Sequence, residues 1–79
     1  MDKIDAKMIV AYARCGMRLR TAANMVFYNK GTLTYRFDRI RRETGLDPRN
    51  FFDLVELYDI ATNVLGDDLE QTPVKEVIS

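Results

Sequence analysis

The apolar residues of this chain recur every three or four positions in four successive stretches, the spacing typical of amphipathic α-helices. We expect helices over about residues 5–15, 19–26, 30–44 and 48–65. Glycines follow three of these stretches, at Gly16, Gly45 and Gly66, where they are natural helix stops. The pattern predicts an all-α, four-helix domain over residues 1–66, followed by a mostly irregular C-terminal tail over residues 67–79.

The third predicted helix has the clearest pattern. Leu33, Phe37 and Ile40 fall at i, i+4 and i+7, which predicts one buried stripe. Asn29, just before the helix, is a good N-cap because its side-chain oxygen can accept from a free backbone N–H. The opposite side of the helix is small or polar at its start and basic at its end, with Gly31, Tyr35, Asp38 and Arg42. Such a face suits a helix that enters the major groove of DNA, and the alternative is an ordinary solvated face.

The second predicted helix is short and has two adjacent alanines, Ala22 and Ala23, on its inner side. Small side chains let another helix cross at close range, as in a helix-turn-helix pair. Phe27 and Tyr28 then form the turn, and we expect Tyr28 to fill the corner between the two helices. The sequence thus predicts a close-packed pair of helices that presents the third helix outward.

The fourth predicted helix is apolar over more than half of its circumference, whereas a surface helix needs an arc of only about 100°. Asp47 followed by Pro48 predicts an N-cap and a first helical residue. The expected main face is Phe51, Leu54, Val55, Tyr58 and Leu65, and the surplus is Leu57, Ile60 and Val64. This surplus indicates burial under the tail or against a partner subunit, and we favour a homodimer formed through this helix.

Charge is separated along the chain although the formal net charge is zero. Residues 14–42 hold eight cations and one acid, a net of +7, and residues 43–79 hold nine acids and two cations, a net of −7. A phosphate partner responds to the local field rather than to whole-chain charge. The basic middle therefore favours an anionic partner, and the alternative is that the two blocks attract each other within the monomer.

Residue types that support catalysis are scarce. The chain has no histidine and a single cysteine, Cys15, so the commonest general base is absent and no intramolecular disulfide can form. We expect no enzyme activity, no cofactor and no metal site. The longest apolar run, residues 8–13, is far too short to span a bilayer, and the N-terminus lacks a signal-peptide pattern. We therefore expect no membrane contact and a cytoplasmic protein.

Two motifs in the middle of the chain carry a family resemblance. Thr-Leu-x-Tyr-Arg at residues 32–36 and Ile-x-x-x-Thr-Gly-Leu-Asp at residues 40–47 resemble the helix-turn-helix domain of the purine-catabolism-regulator (PucR) type. Asn-Lys-Gly-Thr-Leu at residues 29–33 is also similar to the helix-turn-helix of the Fis nucleoid protein. The resemblance covers roughly residues 6–65. It implies a DNA-binding domain of bacterial transcription control, usually dimeric, and either a stand-alone small regulator or a fragment of a larger one.

The resemblance and the charge pattern together give a candidate DNA-binding set: Arg18, Arg20, Asn29, Lys30, Thr32, Thr34, Tyr35 and Arg42. Several of these residues have a plain structural alternative. Thr32 can equally serve the helix N-terminus, and Tyr35 can pack in a protein contact. Asp38 is expected to pair with Arg42 four residues on. Arg36 is expected to bond structurally, while Arg39, Arg41 and Arg42 are candidates for phosphate or for pairing with Glu43 and the acidic C-terminal part.

Two functions follow as hypotheses. The first is sequence-selective binding of double-stranded DNA for transcription regulation, with the third helix in the major groove and a dimer reading two half-sites. The second is a protein-interaction module of helix-turn-helix shape that assembles through the fourth helix without reading DNA. Acids of the fourth helix folded over the basic face would favour the second hypothesis.

Overall fold

The computed structural model describes residues 1–66, and within them helices are the only regular secondary structure. The helices are α1 Lys3–Arg14, α2 Leu19–Met25, α3 Lys30–Thr44 and α4 Phe51–Leu65. The all-α, four-helix prediction is confirmed. The predicted tail, residues 67–79, lies outside the described residues.

The first helix, α1, is central because it packs against each of the other three helices. Its inward residues Met8, Ile9 and Tyr12 are buried. The Tyr12 ring meets Phe37 of α3 edge to face, with 5.0 Å between centroids, a favoured aromatic geometry. Leu33 and Ile40, on the same stripe of α3 as Phe37, are also buried, so the predicted inner face of α3 is confirmed.

The predicted helix bounds are wrong by one to three residues at several ends. The first helix begins at Lys3 rather than residue 5, because the Asp2 carboxylate accepts from the Asp5 backbone N–H at 2.7 Å and caps the helix. The first two helices each end one residue earlier than predicted, at Arg14 and Met25. The third helix has its predicted bounds.

The start of α4 departs furthest from the prediction. Asn50, not Asp47, is the N-cap, and its side chain accepts from the Asp53 N–H at 3.0 Å. Asp47 instead accepts from the backbone N–H of Arg49 at 3.1 Å and closes a local turn that contains the buried Pro48. Both residues are good capping types. The cap nearer to the apolar run prevails, so helix α4 begins at Phe51.

The buried face of α4 also differs from the prediction. Leu54, Leu57, Ala61 and Leu65 are buried, and α4 makes its most extensive contact with α1. Phe51, Val55 and Ile60 remain exposed together with Phe52. The buried face is therefore rotated relative to the predicted main face, since Leu57 of the predicted surplus is buried and Phe51 and Val55 are not.

An ion-pair cluster ties α1 to α3. Asp5 is 2% exposed, and its two carboxylate oxygens accept from Arg36 and from Arg39, each at 2.8 Å. Asp2 adds weaker pairs with both arginines at 3.6 Å. The structural role expected of Arg36 is confirmed. The main partner of Arg39 differs from the prediction, because Asp5 of α1 holds its guanidinium and Glu43 adds only a weaker electrostatic attraction.

Candidate nucleic-acid interface

The turn between α2 and α3 positions the start of α3. Ala22 and Ala23 on the inner side of α2 are buried, as expected of a helix that is packed at close range. The helix ends with two backbone hydrogen bonds, from the Phe27 N–H to the Asn24 carbonyl at 3.3 Å and from the Tyr28 N–H to the Ala23 carbonyl at 3.0 Å. This pair of bonds is a Schellman motif, with Phe27 in the left-handed region at φ +64°. The chain then turns directly into α3.

Phe27 and Tyr28 form the turn as predicted, but the role expected of the Tyr28 ring differs from the prediction. Tyr28 is 42% exposed and so does not fill the corner between the helices. Phe27 is 93% exposed, with no other side chain packed over it. The inner side of α2 is instead occupied by the two buried alanines.

Asn29 caps α3 as predicted. Its Oδ1 accepts from the Thr32 backbone N–H at 2.7 Å and from the Thr32 hydroxyl at 3.0 Å. Because this oxygen already accepts two hydrogen bonds, the group that Asn29 has left for a ligand is its amide nitrogen, a donor. The Thr32 hydroxyl serves the helix start, which was one of its two expected roles.

Two further residues of the first turns have structural constraints. The Thr34 hydroxyl donates to the Lys30 carbonyl at 3.1 Å, so its methyl group and the lone pairs of its oxygen remain for contact with a partner. A Cβ at Gly31 would lie 3.3 Å from Asn29 Oδ1, which is a tight contact with the cap. Glycine at position 31 therefore protects the cap and keeps the outer surface of the first turn flat.

The outward row of α3 consists of Gly31, Tyr35, Asp38 and Arg42, at i, i+4, i+7 and i+11. The first, second and fourth are exposed, and Tyr35 is 63% exposed. The predicted pair between Asp38 and Arg42 is wrong. Asp38 instead accepts from Arg49 Nη2 at 2.7 Å, because the turn before α4 brings Arg49 to the side of α3. Arg42 is thereby left without an acidic partner among residues 1–66.

The four cations of the candidate set share one property. Arg18, Arg20, Lys30 and Arg42 are exposed, and in the described part of the chain none of them forms an ion pair. The acids of α4 therefore form no ion pair with them within residues 1–66. Among residues 1–66, no cation of the basic block forms an ion pair with an acid of the acidic block, since Arg36 and Arg39 pair with Asp2 and Asp5 of the N-terminal segment.

Electrostatics distinguish the structural arginines from these four. Hydrogen bonds to Asp5 raise the pKa of Arg36 and that of Arg39, and a hydrogen bond to Asp38 raises the pKa of Arg49. Each of these guanidinium groups is charged and already donates hydrogen bonds to a carboxylate of the same chain. The four exposed cations of the candidate set are not neutralised in this way and remain available to an external anion.

Two cations also lie where a helix disfavours them. Arg18 is the N-cap of α2 and makes no side-chain cap hydrogen bond, and Lys30 is the first residue of α3. Neither helix has an acid in its first turn. Positive charge at a helix N-terminus opposes the helix dipole, so these positions gain from an anionic partner that offsets it.

Sequence reasoning missed the exposure of Phe27. A hydropathy pattern assigns an aromatic residue to the interior, and nothing in the sequence marks this one as a surface residue. The only available signal is its position in a turn where a left-handed backbone favours glycine.

A short helix, a tight turn and a capped, outward-facing second helix define a helix-turn-helix domain. The family model of the PucR C-terminal helix-turn-helix domain matches residues 6–59. The chain belongs to this family, whose helix-turn-helix points to DNA-binding regulation. No curated protein and no solved structure gives a significant match. Among the described residues, no helix is both long enough and apolar enough to cross a membrane.

Proposed function

We propose that this domain binds double-stranded DNA sequence-selectively and regulates bacterial transcription, with the first turns of α3 in the major groove. The observation that carries the proposal is the exposed outward row of α3, flanked by cations that have no acidic partner among residues 1–66. The proposed role is non-enzymatic and needs no cofactor, and we expect the domain to act in the cytoplasm, where bacterial DNA lies.

Phosphate contacts fall to the four exposed cations. Arg18 and Arg20 at the start of α2 contact the backbone on one side of the groove, as the first helix of such a motif does. Lys30 and Arg42 lie at opposite ends of α3 and contact phosphates there. These contacts set affinity and orientation and carry no sequence information by themselves.

Sequence readout falls to the outward side chains near the start of α3. Tyr35 presents a ring and a hydroxyl, Thr34 presents a methyl group that fits a thymine methyl, and Asn29 presents an amide donor. Thr32 acts indirectly, since its hydroxyl holds the Asn29 oxygen in the cap. A reading surface of this kind recognises a few base pairs, so selectivity for a longer operator requires two domains.

The second domain comes from homodimerisation through α4. Phe51, Phe52 and Val55 are more than half exposed and lie on one end of this helix. Beside them an apolar groove is lined by Ala13, Met17 and Leu54 as well as by Phe51 and Val55. Apolar surface of this kind marks protein–protein contact, and a two-fold dimer would set two α3 helices one helical turn of DNA apart.

The same apolar end of α4 favours a second candidate function, a protein-interaction module that does not read DNA. The two candidates differ in what the exposed cations do. DNA binding needs them, whereas assembly through α4 does not.

The test is a salt titration of binding to a fluorescein-labelled duplex recovered by selection from a random pool. The logarithm of the affinity falls as the logarithm of the salt concentration rises. Replacing Arg20 and Lys30 by alanine should make this slope less negative by about 0.9 per lost phosphate contact. Lys7→Ala, which removes an exposed cation from α1, is the matched control and should leave the slope unchanged. If selection recovers no duplex while the protein assembles through α4, the interaction module is the function.

A further inference from the structure

Phe27 is the most exposed large apolar residue of the described chain, at 93%. Its backbone is left-handed, at φ +64°, a conformation that is unfavourable for a residue with a Cβ. Two unfavourable features therefore coincide at one position in the turn before α3. Met17 has the same left-handed backbone, at φ +65°, but its side chain packs against the core, whereas the exposed Phe27 ring gains no such packing in the monomer.

The chain contains a built-in comparison for this position. The first helix ends in the same Schellman motif, with bonds from the Gly16 N–H to Ala13 and from the Met17 N–H to Tyr12. At the equivalent place it has Gly16, at φ +82°. The fold thus completes this motif with glycine, and the Phe27 ring adds nothing to it.

The residues that neighbour Phe27 in the chain favour DNA as its partner. It lies two residues before the Asn29 cap and three before the exposed Lys30, and the preceding α2 carries the unpaired Arg20. This is the edge of the surface that we propose faces DNA. The apolar surface suited to a second copy of the chain lies on a different element, α4.

We propose that the Phe27 ring contacts a thymine methyl group at the edge of the major groove and so acts as a specificity-determining residue. The inference rests on the proposed function. Apolar contact with the thymine methyl is an established form of base recognition. Because no charge is involved, this contact adds affinity that does not depend on salt.

The test uses Phe27→Gly and Phe27→Asn, since both residues accept a left-handed backbone. Affinity for the selected duplex should fall about tenfold, as expected when a buried aromatic contact is lost. The salt slope should stay unchanged, and the melting temperature should not fall because the backbone strain is relieved. Phe27→Tyr keeps the ring and should stay within about twofold of the wild-type affinity.

Replacing thymine by uracil in the selected duplex removes the methyl groups alone. The wild-type protein should lose affinity on the uracil duplex, whereas Phe27→Gly should lose clearly less, because only the methyl contact proposed for Thr34 is left to remove. If Phe27→Gly binds the thymine duplex as tightly as the wild type does, the inference is wrong and the proposed function stands. If Phe27→Gly changes the molar mass measured by light scattering but not the DNA affinity, the ring makes a protein contact, and the inference is again wrong. If the wild-type protein itself binds no duplex, the proposed function fails.

Discussion

Two arginines of α3 belong to the interior of the molecule, although their residue type is the same as that of the proposed phosphate ligands. Arg36 and Arg39 each donate to the buried carboxylate of Asp5 at 2.8 Å. Arg42, on the outward row of the same helix, has no acidic partner among the described residues. Partner geometry, not residue type, therefore separates structural arginines from candidate ligands.

Replacing Asp5 by alanine should destabilise the domain strongly. The change leaves two partly buried guanidinium groups without their carboxylate, and breaking a buried pair in this way costs about 3 kcal/mol. Urea unfolding followed by circular dichroism measures the loss. Asp59→Ala removes an exposed acid from α4 and is the matched control, with an expected change within about 0.5 kcal/mol. Equal stability of the two variants would refute the role of Asp5.

Acid should weaken the fold partly through Asp2 and Asp47. The hydrogen bond from the Asp5 N–H, with Arg36 and Arg39 nearby, lowers the pKa of Asp2 below its ordinary 3.8. Burial opposes ionisation of Asp47, but hydrogen bonds from Arg49 outweigh it and lower that pKa too. In acid the unfolded chain therefore binds more protons than the folded chain does. The stability that these two carboxylates contribute is complete above about pH 3.8 and is lost as the pH falls through their lower folded-state pKa values.

The measurement is urea unfolding at neutral pH and at a series of acidic values. Asp2→Asn keeps a capping oxygen but removes the titrating group, so its stability should depend less steeply on pH than that of the wild type. An identical acid dependence in the two proteins would contradict the assignment.

Among the elements, α3 and α4 begin with the same device, an asparagine whose side chain accepts from the backbone N–H three residues on. Asn29→Ala and Asn50→Ala should each cost about 1 kcal/mol of stability in urea unfolding. Only Asn29→Ala should also weaken DNA binding in the anisotropy titration, because only α3 is proposed to enter the groove. Equal DNA affinities for the two variants would contradict this assignment.

Periodicity predicted those features of the elements that depend on neighbours in sequence. The stripe of Leu33, Phe37 and Ile40, the Asn29 cap and the glycine stop after α1 all follow from spacing and local backbone chemistry. The start of α4 did not follow, since Asp47 and Asn50 compete as caps and only the fold selects between them.

Other features of the fold depend on residues that are distant in sequence, and the local spacing of apolar and polar residues could not predict them. The carboxylate of Asp5 meets Arg36 across 31 residues, and Asp38 meets Arg49 rather than its helical neighbour. The rotation of α4 against α1 likewise depends on tertiary packing. For the candidate site, the sequence indicated a charged surface, and the structure showed which cations lack an ion pair within residues 1–66.

At the scale of the whole molecule, zero net charge is compatible with a DNA-binding surface. Arg36, Arg39 and Arg49 form ion pairs with acids of the same chain, while the four cations of the candidate set are exposed. A local field around exposed cations attracts a polyanion whatever the net charge of the whole chain. Association with DNA should therefore weaken steeply as salt rises, despite the balanced composition.

Self-association should depend on the exposed end of α4. Phe52 is 77% exposed, so Phe52→Glu should leave the stability of the monomer within about 0.5 kcal/mol while placing a charge in the proposed dimer contact. Light scattering over a range of concentrations should show a dimer for the wild type and a monomer for the variant. Asn63→Glu changes an exposed residue near the other end of α4 and serves as the control. A dimer that survives Phe52→Glu would contradict the proposed interface.

The central claim is that the start of α3 and the cations around it face DNA. Titration of the nitrogen-15-labelled protein with the selected duplex, followed by amide chemical shifts, tests this claim residue by residue. The largest shifts should cluster at residues 18–20 and 27–35, with small shifts along the buried α1. Shifts concentrated on α4, with the start of α3 unchanged, would contradict the account.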